Sequence, residues 1–166
     1  RAVYISLSGR GLCSKHFKKY FETKVMRTIK KHCLIEYGER VLVACSGGKD
    51  STALLSFLWR LMGNKRENIA AIAVDECISG YRDVKLKGLV EFCGKNNIPL
   101  HTCSFKEQYG FTLDEAVKTS RENRLKIKPC YICGVLRRSL INTHARRLGF
   151  SKVATGHNLD DEAQTI

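Results

Sequence analysis

The sequence contains no long hydrophobic run. A transmembrane helix needs about 20 consecutive apolar residues, and no stretch of this 166-residue chain approaches that length. The chain also opens without the charged and then apolar pattern of a secretory signal peptide. Its apolar content of 43% and charged content of 27% are typical of a soluble globular domain. We therefore expect a cytoplasmic protein that does not associate with membranes.

Acidic residues are few relative to basic ones. The chain has 16 Asp and Glu against 29 Lys and Arg, a formal net charge of +13. Such an excess attracts polyanions and speeds their capture. A single basic cluster is usually a solvent-facing surface, but the total favours a nucleic-acid partner. The clusters are Lys18-Lys19, Lys30-Lys31, residues 121–128, Arg137-Arg138 and Arg146-Arg147.

Because nothing favours secretion, the eight cysteines are better explained as thiols and metal ligands than as disulfides. Four of them lie in or beside apolar stretches, where a cysteine packs as a small hydrophobic side chain. These four are Cys45, Cys77, Cys93 and Cys103.

Strands and helices alternate along most of the chain, which predicts an α/β fold with a doubly wound parallel sheet. A hairpin-like module at residues 1–13 and a helix at 14–35 come first. Strands are predicted at 40–45, 69–74, 99–103 and 152–155, and helices at 51–61, 84–95, 132–148 and from 159. The strand at 40–45 should be buried on both faces because residues 41–44 are continuously apolar.

The turn after this strand has the composition of a phosphate-binding loop. Gly47 and Gly48 let backbone N–H groups approach phosphate oxygens, while the following helix and Lys49 add positive charge. A glycine pair alone also occurs in ordinary turns, and the spacing differs from the Walker pattern. The full set predicts a site for the phosphates of ATP: Ser46, Gly47, Gly48, Lys49, Asp50 and Ser51.

Residues 46–51 resemble the PP-loop of ATP pyrophosphatases, which cleave ATP to AMP and pyrophosphate while adenylating a substrate. Residues 129–134 with Arg137-Arg138, and residues 156–161, are similar to the tRNA 2-thiolation branch of that family. This branch includes the TtcA-like and TtuA-like enzymes and the archaeal and eukaryotic cytosolic thiouridylases. The resemblance covers nearly the whole chain and implies an adenine-nucleotide alpha-hydrolase-like fold.

The resemblance also implies a nucleotide pocket at the ends of the strands. Asp50 is a chemically sensible Mg²⁺ ligand, because ATP brings the ion and carboxylate oxygens complete its shell. Asp161 would help to place the Mg²⁺ or the reacting groups, although an acidic pair at 160–161 also suits a helix N-terminus. The other implied contacts are Val74 and Asp75 near the adenosine, and Gly156 and His157.

Cys130 and Cys133 are spaced so that both sulfurs can reach one metal. Spacing alone leaves a redox dithiol, half of a zinc site and two ligands of an iron–sulfur cluster. The thioredoxin-like arrangement is disfavoured because the pair follows a basic loop and not a strand. The resemblance implies a [4Fe–4S] cluster, held by this pair and a third cysteine beyond the fragment, with one iron open to substrate sulfur.

Cys13 and His16 form a Cys-x-x-His pair, which zinc accepts. The resembling enzymes often begin with a further Cys-x-x-Cys, which here would precede Arg1. We therefore interpret residues 1–16 as the second half of a Zn²⁺ ribbon; the alternative is a buried Cys13 beside an exposed His16 without metal. Residues 17–37 are then a connecting helix and residues 38–166 a PP-loop ATP-binding domain. The chain has no initiator Met and stops at a predicted helix start, so we expect a fragment truncated at both ends.

The implied function is ATP-dependent tRNA thiolation: ATP adenylates the C2 oxygen of a uridine, and sulfur displaces AMP to give 2-thiouridine. The sulfur donor could be a ubiquitin-like thiocarboxylate protein, a persulfide or sulfide, and a homodimer is expected from relatives. Two alternatives stay open. One is another PP-loop ATP pyrophosphatase, such as a lysidine synthase-like enzyme, and the other is a non-catalytic RNA-binding module.

Overall fold

A computed structural model of the chain describes residues 1–6, 9–78 and 83–164. It divides into two compact units, Arg1–Gly38 and Glu39–Ile166. Residues 7–8 of the predicted zinc-ribbon module lie outside the described residues. Within the described residues, none of the helices combines the length and apolar character that crossing a bilayer requires.

The first unit is a small hairpin followed by a long helix. Strands β1 (Tyr4–Ile5) and β2 (Gly11–Leu12) pair antiparallel, as the hairpin-like pattern predicted. Helix α1 spans Ser14–Lys31, and the ring of Tyr4 packs 4.9 Å from that of Phe17 on its first turns. The helix ends earlier than predicted, and Cys33 beyond it has φ +48°, a left-handed conformation that cannot continue an α-helix.

The second unit is built on a four-stranded parallel sheet. Its strands are β3 (Val41–Ala44), β4 (Ile69–Asp75), β5 (Leu100–Ser104) and β6 (Lys152–Thr155). They are ordered β5-β4-β3-β6, and each neighbouring pair is parallel. The predicted α/β fold with a parallel sheet is confirmed.

Helices connect these strands, and a last helix follows β6. They are α2 (Lys49–Met62, followed by a 3₁₀ helix at Gly63–Asn68), α3 (Asp83–Asn96), α4 (Phe105–Tyr109), α5 (Leu113–Glu122), α6 (Pro129–Arg147) and α7 (Leu159–Ala163). The strand order reverses between β3 and β6. With right-handed crossovers, α2 and α3 therefore cover one face of the sheet and the helices between β5 and β6 cover the other.

Helices α4 and α5 were missing from the sequence prediction. Each begins with a capping box. The hydroxyl of the N-cap residue accepts a hydrogen bond from the backbone N–H of a glutamate three residues on, and the carboxylate of that glutamate accepts from the backbone N–H of the N-cap residue. The pairs are Ser104 with Glu107 and Thr112 with Glu115. The Ser/Thr-x-x-Glu spacing was therefore the overlooked signal.

The central strand is buried on both faces, as its continuous apolar run predicted. Val41, Leu42 and Val43 are fully buried. Side chains alternate along a strand, and Leu42 packs in a cluster with Ile72, Phe105 and Leu140. Successive residues of β3 thus contribute to the cores on opposite sides of the sheet.

Helix α5 offers a matched pair of stability tests. Thr112→Ala removes the N-cap acceptor and should lower the free energy of unfolding by about 1 kcal/mol. Ser120 is buried on the same helix, and its hydroxyl finds no hydrogen-bond partner among the described residues. Ser120→Ala should therefore be neutral or stabilising by up to about 1 kcal/mol.

Urea denaturation of both variants measures these changes. A loss at Ser120 as large as that at Thr112 would contradict the assignment of an unbonded hydroxyl. The hydrogen bonds from Thr112 lower the pKa of Glu115. The part of the cap that the Glu115 carboxylate provides is therefore present above the ordinary pKa of glutamate and should diminish as the pH falls.

Candidate functional site

The phosphate loop, residues 46–51, lies between the end of β3 and the start of α2. Gly47 has φ +77°, a left-handed conformation that glycine adopts without steric cost. Gly48 is the N-cap of α2 and has no side chain with which to cap it, although the Ser46 hydroxyl accepts from the Gly48 N–H at 3.4 Å. The first N–H groups of a helix have no intrahelical partner. The start of α2 is therefore suited to an anion, which the helix dipole also favours.

Two serines hold the shape of this loop. Ser51 is only 7% exposed, and its hydroxyl donates to the carbonyl of Gly48 at 3.1 Å. The hydroxyl of Ser46 lies 3.5 Å from that of Ser51. Lys49 and Asp50, in contrast, are exposed. The loop thus has a buried support and an exposed charged rim.

Gly156 follows β6 and packs directly against the phosphate loop. A Cβ atom at this position would lie 2.7 Å from both the Cα and the N of Ser51, and 3.0 Å from the carbonyl carbon of Asp50. Real Cβ atoms do not come this close to backbone, so only glycine fits here. The contact arises because β3 and β6 are neighbours, with Ala44 opposite Thr155.

Helix α7 begins beside this contact with a compact set of polar bonds. The side-chain oxygen of Asn158 accepts from the N–H groups of Asp160 and Asp161, and Asp161 Oδ2 accepts from Asn158 N at 2.9 Å. Asp161 therefore lies at a helix N-terminus, the alternative considered from the sequence, and also caps that helix. A carboxylate has about four acceptor sites, so capping leaves room for a ligand role. His157 is exposed, with its Nδ1 3.3 Å from the hydroxyl of Thr155.

The end of β4 presents different groups to the same edge. Val74 is buried in the apolar cluster, so its side chain serves the core and only its backbone could contact a nucleotide. Asp75 ends the strand, and its Oδ1 accepts from Cys77 N at 2.8 Å.

Cys130 lies in the first turn of α6 and Cys133 at the start of the second. Residues three apart share one face of a helix, but the two thiols differ in environment: Cys130 is exposed, and Cys133 is only 8% exposed. Arg137 Nη2, one turn further along, donates to the Sγ of Cys133 at 3.1 Å. The same nitrogen lies 2.8 Å from Oε1 of Glu76.

Glu76 is the functional candidate that the sequence analysis missed. Its side chain is only 6% exposed, and it follows the last residue of β4. The carboxyl ends of parallel strands meet at one edge of a sheet, so Glu76, the phosphate loop and Gly156 share that edge. The contacts of Arg137 therefore bring Cys133 to it as well. The sequence signal that could have indicated Glu76 was an acidic residue directly after the end of an apolar strand.

The remaining cysteines behave largely as predicted. Throughout the described ranges the cysteines form no disulfide. Cys45, Cys93 and Cys103 are buried, whereas Cys77 is half-buried. Burial raises the pKa of Cys45 to about 12, with a smaller contribution from Cys93. The thiol next to the phosphate loop therefore stays protonated at neutral pH.

Two pairs of side chains fit half of a metal site each. In the part of the chain that the structure describes, no group of three or more His, Cys, Asp or Glu could hold a metal ion. Cys130 and Cys133 offer two sulfurs from one helical turn. Cys13 Sγ and His16 Nδ1 are 3.2 Å apart. A sulfur and a nitrogen bound to the same tetrahedral zinc ion are separated by about 3.5 Å, which is similar. Further ligands would be needed to complete either site.

Comparisons with known proteins agree with this geometry. The chain is 42% identical over 155 residues to the tRNA-5-methyluridine(54) 2-sulfurtransferase of Pyrococcus horikoshii, covering 93% of this chain and 46% of that protein. It is 40% identical over 164 residues to cytoplasmic tRNA 2-thiolation protein 1 of Anopheles gambiae, covering 96% and 46%. The chain thus spans about half the length of the curated relatives it matches.

A solved structure is also similar. The U34-tRNA thiolase NcsA from Methanococcus maripaludis, with its [4Fe-4S] cluster, matches with a TM-score of 0.85 and 32% identity, over 99% of this chain and 53% of that one. Residues 17–166 match the family described as the PP-loop domain. This range includes the phosphate loop, the cysteine pair and Gly156. The chain therefore belongs to the PP-loop domain family, and its named relatives include tRNA 2-thiolation proteins.

Proposed function

We propose that this chain is the ATP-binding part of a tRNA 2-thiolation enzyme, which adenylates the C2 oxygen of a uridine and replaces it with sulfur. One observation carries the proposal. Arg137 contacts both Cys133 and Glu76, so a cysteine pair lies at the sheet edge that bears the phosphate loop. An enzyme that only adenylates would not need cysteines there. The names of the sulfurtransferase and thiolation relatives support the same reaction.

The phosphate loop would hold ATP by its phosphates. Backbone N–H groups at the start of α2 and the exposed Lys49 would stabilise the charge that develops on pyrophosphate. Asp50, also exposed, would complete the shell of the Mg²⁺ that ATP brings. Asp161, at the start of α7, would help to place the Mg²⁺ or the reacting groups. Asp75 and the backbone of Val74 would lie near the adenosine. Gly156 and His157 would complete the nucleotide pocket.

The reaction then has two displacements. The uridine C2 oxygen attacks the α-phosphorus of ATP, and pyrophosphate leaves. The oxygen is now part of a phosphate ester, which is a far better leaving group than the original carbonyl oxygen. A sulfur nucleophile attacks C2, and the C2–oxygen bond breaks to release AMP.

Cys130 and Cys133 would be two ligands of a [4Fe–4S] cluster. Such a cluster, when one iron lacks a protein ligand, supplies a position that can carry sulfur. Arg137 would keep its hydrogen bond to the Cys133 sulfur, and Glu76 would fix the direction of the guanidinium. Bonds of this kind orient metal ligands and tune the metal that they hold.

Several finer assignments belong to the same proposal. The tRNA would be held by the basic clusters, including residues 121–128. Cys13 and His16 would give two ligands to Zn²⁺ in a module at residues 1–16, joined through residues 17–37 to the ATP-binding domain at 38–166. A ubiquitin-like thiocarboxylate protein is a candidate sulfur donor, and we propose a cytoplasmic homodimer.

Asp50→Ala tests the nucleotide assignment. Loss of a magnesium ligand should lower tRNA-dependent pyrophosphate release by roughly tenfold to a hundredfold, without changing the unfolding curve, since Asp50 is exposed. Asp114→Ala is a matched control, because Asp114 is also an exposed acid in a first helical turn. Unchanged pyrophosphate release by the Asp50 variant would contradict the proposal.

Gly156→Ala tests the packing of β6 against the loop. Its Cβ would collide with the backbone of residue 51, so ATP affinity measured by calorimetry should fall sharply. The control is Gly94→Ala in α3, where a Cβ meets nothing within 4 Å. This control should bind ATP normally and gain about 1 kcal/mol of stability. Wild-type ATP affinity in the Gly156 variant would refute the assigned role of this contact.

Cys130→Ser and Cys133→Ser test the cluster in the full-length protein prepared without oxygen. Each should lose iron and thiolation activity but keep ATP affinity. Cys33→Ser is the control, because Cys33 is exposed and has no proposed role. Anaerobic iron and sulfide analysis is paired with nucleoside mass spectrometry of the tRNA. Full thiolation by a variant that binds no iron would exclude the cluster as sulfur carrier.

A further inference from the structure

An exposed aromatic residue stands between the two cysteines in the sequence. Tyr131 is in the first turn of α6, and its side chain is 65% exposed. Val135, four residues on, shares that helix face and is also exposed. Leu125 and Ile127, in the segment leading into the helix, are exposed as well. Several large apolar side chains exposed this close together in sequence point to a binding surface.

The same segment is strongly basic. Residues 123–128 form an irregular connection between α5 and α6 whose residues are exposed. Arg124, Lys126 and Lys128 lie in it, and Arg121 precedes it. The nearby Glu122 is 3.9 Å from Lys118, one turn back on α5. The surface therefore combines positive charge with apolar side chains and an aromatic ring.

This combination selects one class of partner. An RNA duplex keeps its bases stacked inside the helix, so it would use the cationic groups but have no use for an exposed ring. An unpaired nucleotide offers both a phosphate and a free base face, and proteins bind it by stacking the base on an aromatic ring within a basic surface. A protein partner would use the apolar groups, but the surrounding positive charge favours a polyanion.

We propose that Tyr131 stacks on an unpaired base of the tRNA, with Lys126 and Lys128 on flanking phosphates. This inference rests on the proposed function and assigns it a residue that positions the RNA substrate. Tyr131 is the residue after Cys130, and its side chain leaves α6 about 100° around the helix from that of Cys130. A base stacked on it therefore lies at the same end of α6 as the cysteine pair, on an adjoining face of the helix. Tyr131 thus holds the RNA at the end of α6 that carries the cysteine pair.

The test compares RNA binding by variants of the full-length protein. The probes are a labelled RNA hairpin with an unpaired uridine-containing loop and a blunt RNA duplex of the same length. Tyr131→Ala should weaken hairpin binding roughly tenfold or more, the effect of removing one base stack, and leave duplex binding unchanged. Tyr131→Phe keeps the ring and should bind like wild type. Tyr37→Ala is the control, since Tyr37 is 92% exposed in the first unit.

The dependence of RNA affinity on salt concentration distinguishes base stacking by Tyr131 from phosphate contacts by the lysines. Lys126→Gln with Lys128→Gln should reduce the slope of log affinity against log salt by about 1 for each phosphate that the variant no longer neutralises. Tyr131→Ala should lower the affinity with no change in slope. Iron content and thermal melting of each variant show that the cysteine pair and the fold are intact.

The outcomes are distinct. Equal hairpin affinity in wild type and Tyr131→Ala would overturn the stacking role while leaving the proposed thiolation reaction standing. A Tyr131→Ala effect on self-association with unchanged RNA binding would also overturn it and identify a protein interface. Failure of the wild-type protein to bind either RNA would instead refute the proposed function itself.

Discussion

Strand β3 pairs in parallel with β4 on one side and β6 on the other, so three strands end at the same edge of the sheet. The residues after each end are therefore neighbours, although they are far apart in the sequence. The phosphate loop follows β3, Glu76 follows β4 and Gly156 follows β6. The strand order reverses at β3 and β6, and this reversal leaves the crevice that α/β proteins use for ligands.

Gly156 is required by the pairing of β3 with β6. The loop after β6 can approach the start of α2 only because residue 156 has no Cβ, which would otherwise lie 2.7 Å from the backbone of Ser51. Ser51 in turn is held by its bond to the carbonyl of Gly48. The shape of the phosphate loop thus depends on a neighbouring strand as well as on its own glycines.

The bond between Arg137 and Glu76 extends the same edge to α6. A buried carboxylate is costly unless it is paired, and Arg137 provides the partner at 2.8 Å. Replacing such a pair by apolar groups is often neutral or stabilising, so stability alone is a weak reason for its presence. Its other effect is positional: the guanidinium that meets Glu76 also meets the Cys133 sulfur. The pair therefore fixes where the cysteines lie relative to the nucleotide edge.

The parts of this site that could be predicted from sequence are those set by local residues. Residues 41–51 contain an apolar strand, two glycines and a helix start, and each of these signals acts over a few residues. The sequence signals for the starts of α4 and α5 were equally local, because each consists of Ser104 or Thr112 and the glutamate three residues later. They were overlooked because the apolar pattern around them is weak. The contact between Glu76 and Arg137 joins a strand end to a distant helix, so no local pattern could have indicated it.

At this edge of the sheet, buried side chains fix the positions of their neighbours, and several exposed side chains are available to ligands. Ser51, Glu76 and Cys133 are buried, and each makes bonds that fix a neighbour. Four of the groups proposed to meet ATP, metal or RNA are exposed: Lys49, Asp50, Cys130 and Tyr131. Ser51 and Cys133 belong to both sets, because each is buried and also lies in a proposed binding site. A rigid scaffold that positions exposed functional groups is the usual arrangement in binding sites. A substitution at Ser51 or Glu76 should therefore change folding and function together, whereas one at an exposed group should change the contact with the ligand while the sheet beneath it stays intact.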